Sequence, residues 1–143
     1  MSPINQRGLF DTNIVIFGTR LNRDQLPREA ALSTVTLAEL SVGPLMVQGT
    51  DEAAQSERSR RMTVLARAES EFSSLPFDTE AARIFGSLSA AMVAKDLKPR
   101  NHTADLMIAA TAAAHRLPLY TTNPKDFEPL SEFVTVVGVD VPD

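Results

Sequence analysis

The sequence predicts an α/β fold built on a parallel sheet of short strands. Short apolar runs alternate with segments of helical periodicity, which is typical of strands joined by helical crossovers. Of the 143 residues, 43% are hydrophobic and 22% are charged, the ordinary proportions of a globular protein and not those of a disordered chain. The length fits one domain covering residues 1–143.

The predicted strands are apolar runs bounded by turn or cap residues. The first ends at Asp11, and the fourth is followed by the turn pair Asn123 and Pro124. In chain order the strands are predicted over residues 8–10, 31–35, 75–77, 117–121 and 133–137.

The predicted helices carry apolar or alanine-rich faces at helical spacing. The second is interrupted near Gly43 and Pro44, and the fourth begins after a capping Asp78 and ends at Pro99. Residues 20–29 predict a loop or broken helix. In chain order the helices are predicted over residues 14–17, 36–48, 51–72, 78–98 and 103–115.

Composition excludes several classes of protein. There is no cysteine, so disulfide scaffolds, thiolate zinc sites, iron–sulfur clusters and cysteine nucleophiles are ruled out. With two histidines in the chain, a bound metal is expected to have oxygen ligands, which suits Mg²⁺ or Mn²⁺. A net charge of −4 does not suit a protein that coats nucleic acid, but it allows a nuclease with a local basic rim. The chain has no apolar run long enough for a membrane span and no secretory signal in residues 1–7, so we expect a cytoplasmic protein.

Four carboxylates are expected to meet at one edge of the sheet. In open parallel sheets, ligands bind outside the carboxyl ends of the strands. Asp11 directly follows the first predicted strand, and Asn123 and Asp126 follow the fourth. Glu39 and Asp105 each lie in the first turn of a predicted helix.

Each carboxylate also has a structural explanation. Thr36 and Glu39 have the spacing of a capping box, Asp11 and Asp126 suit Asx turns, and Asp105 suits the positive end of a helix dipole. Together, however, clustered carboxylates are unfavourable unless protons or cations neutralise them. A divalent ion at such a cluster activates water and offsets the charge that develops on a phosphate.

Four motifs, in this order and spacing, resemble the PIN domain family and within it the VapC toxins of VapBC toxin–antitoxin systems. They are LFDTN at residues 9–13, STVTLAEL at 33–40, ADLMIAATA at 104–112 and YTTNPKDF at 120–127. The resemblance implies a three-layer α/β/α fold with about five strands. It also implies an endoribonuclease dependent on Mg²⁺ or Mn²⁺. One departure is Thr122, where relatives often carry arginine.

The resemblance assigns the site residue by residue. It implies Asp11 and Asp105 as metal ligands, Glu39 as a third acidic residue and Asp126 as the fourth. The supporting polar residues are Thr12, Asn13, Thr121 and Asn123. It leaves open whether Asn123 or Asp126 completes the metal site.

Further expectations concern substrate and partners. A substrate rim is placed at Lys98, Arg100 and His102, although a solvated loop is the simpler explanation of His102. The resemblance implies a homodimer and a cognate VapB-type antitoxin, for which Leu40, Leu45 and Met46 are candidate contacts. The long charged helix is expected to be a solvated face on which arginines pair with Glu57, Glu69 and Glu71; these arginines are Arg58, Arg60, Arg61 and Arg67.

Other classes of function fit less well. A haloacid-dehalogenase-like phosphatase needs a second aspartate where this chain has Asn13. A receiver-like domain needs an acidic pair near the first strand, and this sequence has no such pair there. A PIN domain that binds RNA without cutting it remains the alternative to the nuclease.

Overall fold

The central sheet has five parallel strands. The computed structural model describes residues 6–143; most of the N-terminal segment in which we expect no secretory signal lies outside these residues. The strands are β1 (Arg7–Phe10), β2 (Glu29–Ser33), β3 (Ser73–Leu75), β4 (Leu119–Thr121) and β5 (Val136–Gly138). Their order across the sheet is β3-β2-β1-β4-β5, and every neighbouring pair is parallel. The predicted α/β class is therefore confirmed.

In the described residues 6–143, five α-helices connect the strands. They are α1 (Thr12–Phe17), α2 (Thr34–Val42), α3 (Glu52–Glu71), α4 (Thr79–Ala94) and α5 (Thr103–Ala114). Short 3-10 segments occupy much of the remaining chain, at Gly18–Arg20, Arg23–Gln25, Gly43–Met46, Pro99–His102 and Pro124–Leu130.

The helices form a layer on each face of the sheet, because successive strand residues point to opposite sides. Leu9 and Leu119 belong to a core with residues of α4 and α5. Phe10 and Tyr120, their next neighbours in sequence, belong to a second core with residues of α1, α2 and α3. The three-layer α/β/α arrangement thus arises because side chains alternate between the two faces of the sheet along each strand.

The strand order places β1 at the centre, with β2 and β4 on either side. The chain moves outwards from β1 in one direction as far as β3, and then returns to add β4 and β5 on the other side. The carboxyl end of β1 is therefore a switch point in the topology, where a parallel sheet leaves a crevice for ligands.

The predicted boundary between the second strand and its helix is wrong. The strand was expected over residues 31–35, but β2 ends at Ser33, whose side chain accepts a hydrogen bond of 3.1 Å from the Val35 backbone N–H. Ser33 is thus the N-cap of α2, and Thr36 lies buried inside the helix. The capping-box explanation of Glu39 is therefore removed, because Glu39 lies beyond the first turn.

Two helices are bounded by left-handed residues that the sequence pattern did not reveal. Asp96, at φ 60°, follows α4, and the Leu97 N–H bonds the carbonyl of Met92. Arg116, at φ 56°, follows α5 in the same way. These turns end α4 at Ala94, not at residue 98, and the fourth strand begins at residue 119 instead of 117.

The other boundary errors arise at short segments. The second helix ends at Val42 and is followed by 3-10 structure instead of extending to residue 48. The third strand covers Ser73–Leu75, where it pairs with β2, instead of residues 75–77. The last strand covers Val136–Gly138 instead of 133–137, because Val134 is still hydrogen-bonded to the carbonyl of Leu130.

No helix in residues 6–143 combines the length and apolar character needed to cross a membrane.

Gly8 and Gly86 give a matched test of the sheet packing. A Cβ at Gly8 would lie 2.7 Å from Tyr120 Cδ1 and closer still to its Cε1, whereas a Cβ at Gly86 meets nothing within 4 Å. We expect Gly8→Ala to lower the free energy of unfolding by about 1–3 kcal/mol, because the buried Tyr120 ring must move. We expect Gly86→Ala, within α4, to raise it by about 0.5–1 kcal/mol. Urea denaturation measures both, and equal effects of the two substitutions would contradict this packing.

Candidate functional site

Asp11 lies at the carboxyl end of the central strand and is buried, with 5% of its surface exposed. Its Oδ1 accepts a hydrogen bond of 2.9 Å from the Thr12 backbone N–H, and its Oδ2 accepts one of 2.9 Å from the Thr121 hydroxyl. Burial raises the pKa of the Asp11 carboxyl above its ordinary value, and the two hydrogen bonds oppose that shift. Asp11 is thus a fixed side chain whose negative charge is only partly compensated by the protein.

Glu39 is joined to the same centre by Thr12. The Thr12 hydroxyl donates a hydrogen bond of 2.6 Å to Glu39 Oε1, and it lies 3.2 Å from the Thr36 hydroxyl. This contact connects the first turn of α1 with the middle of α2. Thr12 thus contacts both carboxylates, with its backbone N–H bound to Asp11 and its hydroxyl bound to Glu39.

Asp105 approaches the centre from the first turn of α5, as predicted. Ala109, Ala110 and Ala112 of this helix are completely buried, so the helix backbone lies close to the sheet. Burial, together with the negative charges of Asp11 and Glu39, raises the pKa of Asp105 to about 6.

His102 partly opposes the shift at Asp105. Its Nδ1 lies 4.0 Å from Asp105 Oδ2, and its charge acts to lower the pKa of that carboxyl. His102 therefore lies beside Asp105, and its side chain is partly exposed.

One cleft of about 1190 Å³ brings most of the predicted residues together. Thr121 lies beneath it and is buried; besides its bond to Asp11, its hydroxyl accepts a hydrogen bond of 3.0 Å from the Asn123 N–H. The predicted residues that line the cleft itself are Asp11, Thr12, Asn13, Glu39, Asp105, Asn123 and Asp126.

The donor set fits a divalent ion with oxygen ligands. No three His, Asp or Glu side chains in the described part of the chain are grouped closely enough to ligate one ion. Mg²⁺, however, is commonly bound by one or two carboxylates and several waters. Asp11 and Asp105 repel each other across the cleft, which is the electrostatic condition that a cation relieves.

The expected substrate and partner contacts differ in where they lie. None of Lys98, Arg100 and His102 is among the described residues that line the cleft. Leu40 is buried in the core beside α1 and α3, whereas Leu45 and Met46 are 83% and 66% exposed. Leu40 is therefore a core residue and not a surface contact.

The sequence also missed a set of basic residues that line the cleft. They are Arg20 from the segment after α1, and Arg60, Arg61 and Arg67 from α3. Of the ion pairs expected on α3, Arg60 and Arg61 pair with Glu57, and Arg67 pairs with Glu71. The expectation is wrong for Arg58, which instead donates hydrogen bonds to the carbonyls of Val47 and Gly49, and no ion pair of Glu69 is found among the described residues. Helical spacing gives no information on which face of α3 borders the cleft, so their location could not be derived from it.

The fold is that of a PIN domain. The PIN domain family matches residues 9–132, and the chain therefore belongs to this family. Among its relatives, ribonuclease VapC5 of Mycobacterium tuberculosis is 35% identical over 139 residues, which cover 95% of this chain and 96% of the relative. Ribonuclease VapC of Rickettsia bellii is 29% identical over 104 residues, which cover 73% and 72% of the two chains.

Solved structures of VapBC proteins also match this chain. The crystal structure of VapBC-5, a member of the VapBC family of toxin–antitoxin systems from Mycobacterium tuberculosis, matches with a TM-score of 0.77 and 32% identity. The match covers 95% of this chain and 99% of the other. VapBC-1 from nontypeable Haemophilus influenzae shares the fold, with a TM-score of 0.70 at 20% identity. The resemblance to VapC proteins predicted from the four motifs is thus confirmed.

The raised pKa of Asp105 predicts how stability depends on pH. Because that pKa is about 6 in the folded protein and 3.8 ordinarily, the metal-free folded state binds more protons between these values. The destabilising contribution of Asp105 is therefore absent below the ordinary pKa and complete above the folded one. We expect metal-free Asp105→Asn to melt at a higher temperature than the wild type near neutral pH, and this difference to disappear as the pH falls.

Thermal denaturation in EDTA across a pH series measures the difference. The matched control is Asp96→Asn, which changes an exposed aspartate that does not line the cleft. Asparagine tolerates the left-handed conformation of this position, so the control should keep the local backbone. The same pH dependence in both variants would contradict the assigned environment of Asp105.

Proposed function

We propose that this chain is the toxin of a type II VapBC toxin–antitoxin module and hydrolyses RNA phosphodiester bonds with Mg²⁺, for which Mn²⁺ can substitute. The reaction takes place in the cytoplasm, where the RNA is. The observation that carries the proposal is the group of mutually repelling carboxylates around Asp11 and Asp105, at the switch point of the sheet and inside an open cleft. Relatives named ribonucleases support it independently.

Asp11 and Asp105 would hold the metal ion. A bound divalent ion supplies a more nucleophilic water and positive charge beside the phosphate undergoing attack. Asp11 is suited to this role because Thr12 and Thr121 fix both of its oxygens, so its orientation is set before ligand binding. Asp105 is brought to the cleft by the close approach of α5 to the sheet.

Glu39 and Asp126 complete the acidic side of the site. Glu39 is oriented by the Thr12 hydroxyl and would accept a proton or hydrogen bond from the attacking water. Asp126 lies in the first turn of the 3-10 segment after β4 and adds negative charge near Asp11. Asn13 and Asn123 line the same cleft and are available to hydrogen-bond the substrate or hydrated ion.

The proposed antitoxin contact includes the exposed side chains of Leu45 and Met46. They lie on the Gly43–Met46 segment, whose first residue borders the cleft. A partner that covers these apolar side chains would therefore reach the mouth of the site. The VapBC structures similar to this chain support such a partner. We also propose a homodimer, as the resemblance to VapC toxins implies.

RNA cleavage tests the proposed activity. We expect the purified, antitoxin-free chain to cut total bacterial RNA at discrete positions with Mg²⁺ or Mn²⁺, and EDTA to abolish the cuts. Asp105→Asn keeps the shape but removes a metal-binding charge, so we expect its cleavage rate to fall by about 100-fold or more. Sequencing of the cut ends measures both the rate and the target sites.

Asp96→Asn again serves as the control and should cleave like the wild type. Metal-independent cuts, or full activity of Asp105→Asn, would overturn the proposed mechanism. A folded wild type that binds RNA and leaves it intact would instead establish the noncatalytic PIN domain.

Antitoxin inhibition tests the proposed partner contact. We expect Leu45→Glu/Met46→Glu to retain RNA cleavage and to require about tenfold or more of the co-encoded antitoxin for inhibition, because both side chains lose apolar contact area. The control is Val93→Glu on α4, which is also exposed and does not border the cleft. Unchanged inhibition of the double variant would exclude this contact.

A further inference from the structure

The side of the cleft formed by α3 is basic, although the chain carries a net charge of −4. Arg60, Arg61 and Arg67 all line the cleft that contains the carboxylates. RNA is a polyanion, so an acidic protein with a carboxylate cluster repels it unless a local positive surface provides attraction. The α3 arginines supply such a surface beside the acidic site.

The arginines follow one face of the helix. Residues 60, 63, 64 and 67 are spaced by three or four positions and all line the cleft. With a rise of about 1.5 Å per residue, Arg60 and Arg67 are separated by about 10 Å along α3. The two guanidinium groups are therefore arranged along the cleft instead of being gathered at one point.

The nearby carboxylates leave this surface positive and partly pre-positioned. Glu57 pairs with both Arg60 and Arg61, so one negative charge is shared between two guanidinium groups. Arg61 also donates a hydrogen bond of 2.9 Å to the Gly43 carbonyl, which holds α3 against the end of α2. Arg60 remains 70% exposed, and Arg67 has a looser ion pair with Glu71 at 3.6 Å.

We propose that Arg60 and Arg67 bind phosphates of the RNA strand on one side of the scissile bond, so that α3 positions the strand across the carboxylate site. This inference rests on the proposed ribonuclease function. The planar guanidinium presents paired N–H donors that match phosphate oxygens. Arg61 acts as a brace through Gly43, and Glu57 competes with RNA for Arg60.

RNA binding without divalent ions tests the proposal while keeping the RNA intact. The probe is a short fluorescein-labelled single-stranded RNA of mixed sequence, and its anisotropy is followed across a NaCl titration in EDTA. Each phosphate contact contributes about 0.7 to the slope of log K against log[salt] on a single strand. We expect Arg60→Gln/Arg67→Gln to reduce the slope by about 1.4, and Arg83→Gln, an exposed arginine on α4, to leave it unchanged.

Cleavage kinetics separate substrate positioning from damage to the site. For the wild type and the double variant with Mg²⁺, we expect KM to rise by about tenfold or more while kcat stays within a few-fold. Glu57→Gln should change RNA affinity in the opposite direction to the double variant, because it removes the carboxylate that competes with RNA for Arg60. We therefore expect Glu57→Gln to bind RNA more tightly than the wild type, and by more than Glu80→Gln, which removes an exposed carboxylate of α4.

Each outcome decides between clear alternatives. One outcome is that the wild type cuts RNA while the double variant has the same salt slope and KM as the Arg83→Gln control. In that case α3 does not bind the substrate, and the ribonuclease function stands. Loss of antitoxin binding with unchanged RNA affinity would also overturn the proposal and assign these arginines to the protein partner. If the wild type neither binds nor cuts RNA, the proposed function and this inference fail together.

Discussion

The hydrogen bond between Thr121 and Asp11 is the constraint on which the site depends. It joins the end of β4 to the residue after β1, which are neighbours only because the sheet order reverses at its centre. The bond orients a buried carboxylate that would otherwise be costly to remove from water. Thr12, Glu39 and Asn123 are then placed relative to this fixed group through their own hydrogen bonds.

The cleft combines two opposing charge distributions. Asp11, Glu39 and Asp105 repel one another where the strands end, and burial raises the pKa of both aspartates. The α3 side carries arginines that are only partly neutralised. In the proposed function, a metal ion and an RNA strand would compensate both distributions at once. The protein without ligands thus retains electrostatic repulsion that such binding would relieve, as is common where function and stability compete.

Much of the architecture and the acidic centre could be predicted from the sequence, because apolar runs and cap residues are local signals. Asp78 caps α4 as expected, and Asp105 lies in the first turn of α5. Glu39 was harder to interpret, since its spacing from Thr36 imitates a capping box and only the fold shows its bond to Thr12. The arginines of α3 could not be assigned to the cleft because ion pairing within a helix is independent of what its face borders.

The distance in sequence between Asp11 and Thr121 has a consequence for synthesis of the protein. Thr121 follows Asp11 by 110 positions, and β4 supplies the second neighbour of β1. Chains emerge from the ribosome with the N-terminal part first, and non-local parallel pairing must wait for both strands. A nascent or prematurely terminated chain that lacks β4 carries Asp11, Glu39 and Asp105 without the partner that orients the first of them. The complete centre therefore forms only after β4 has been synthesised, and products that stop before β4 do not contain it.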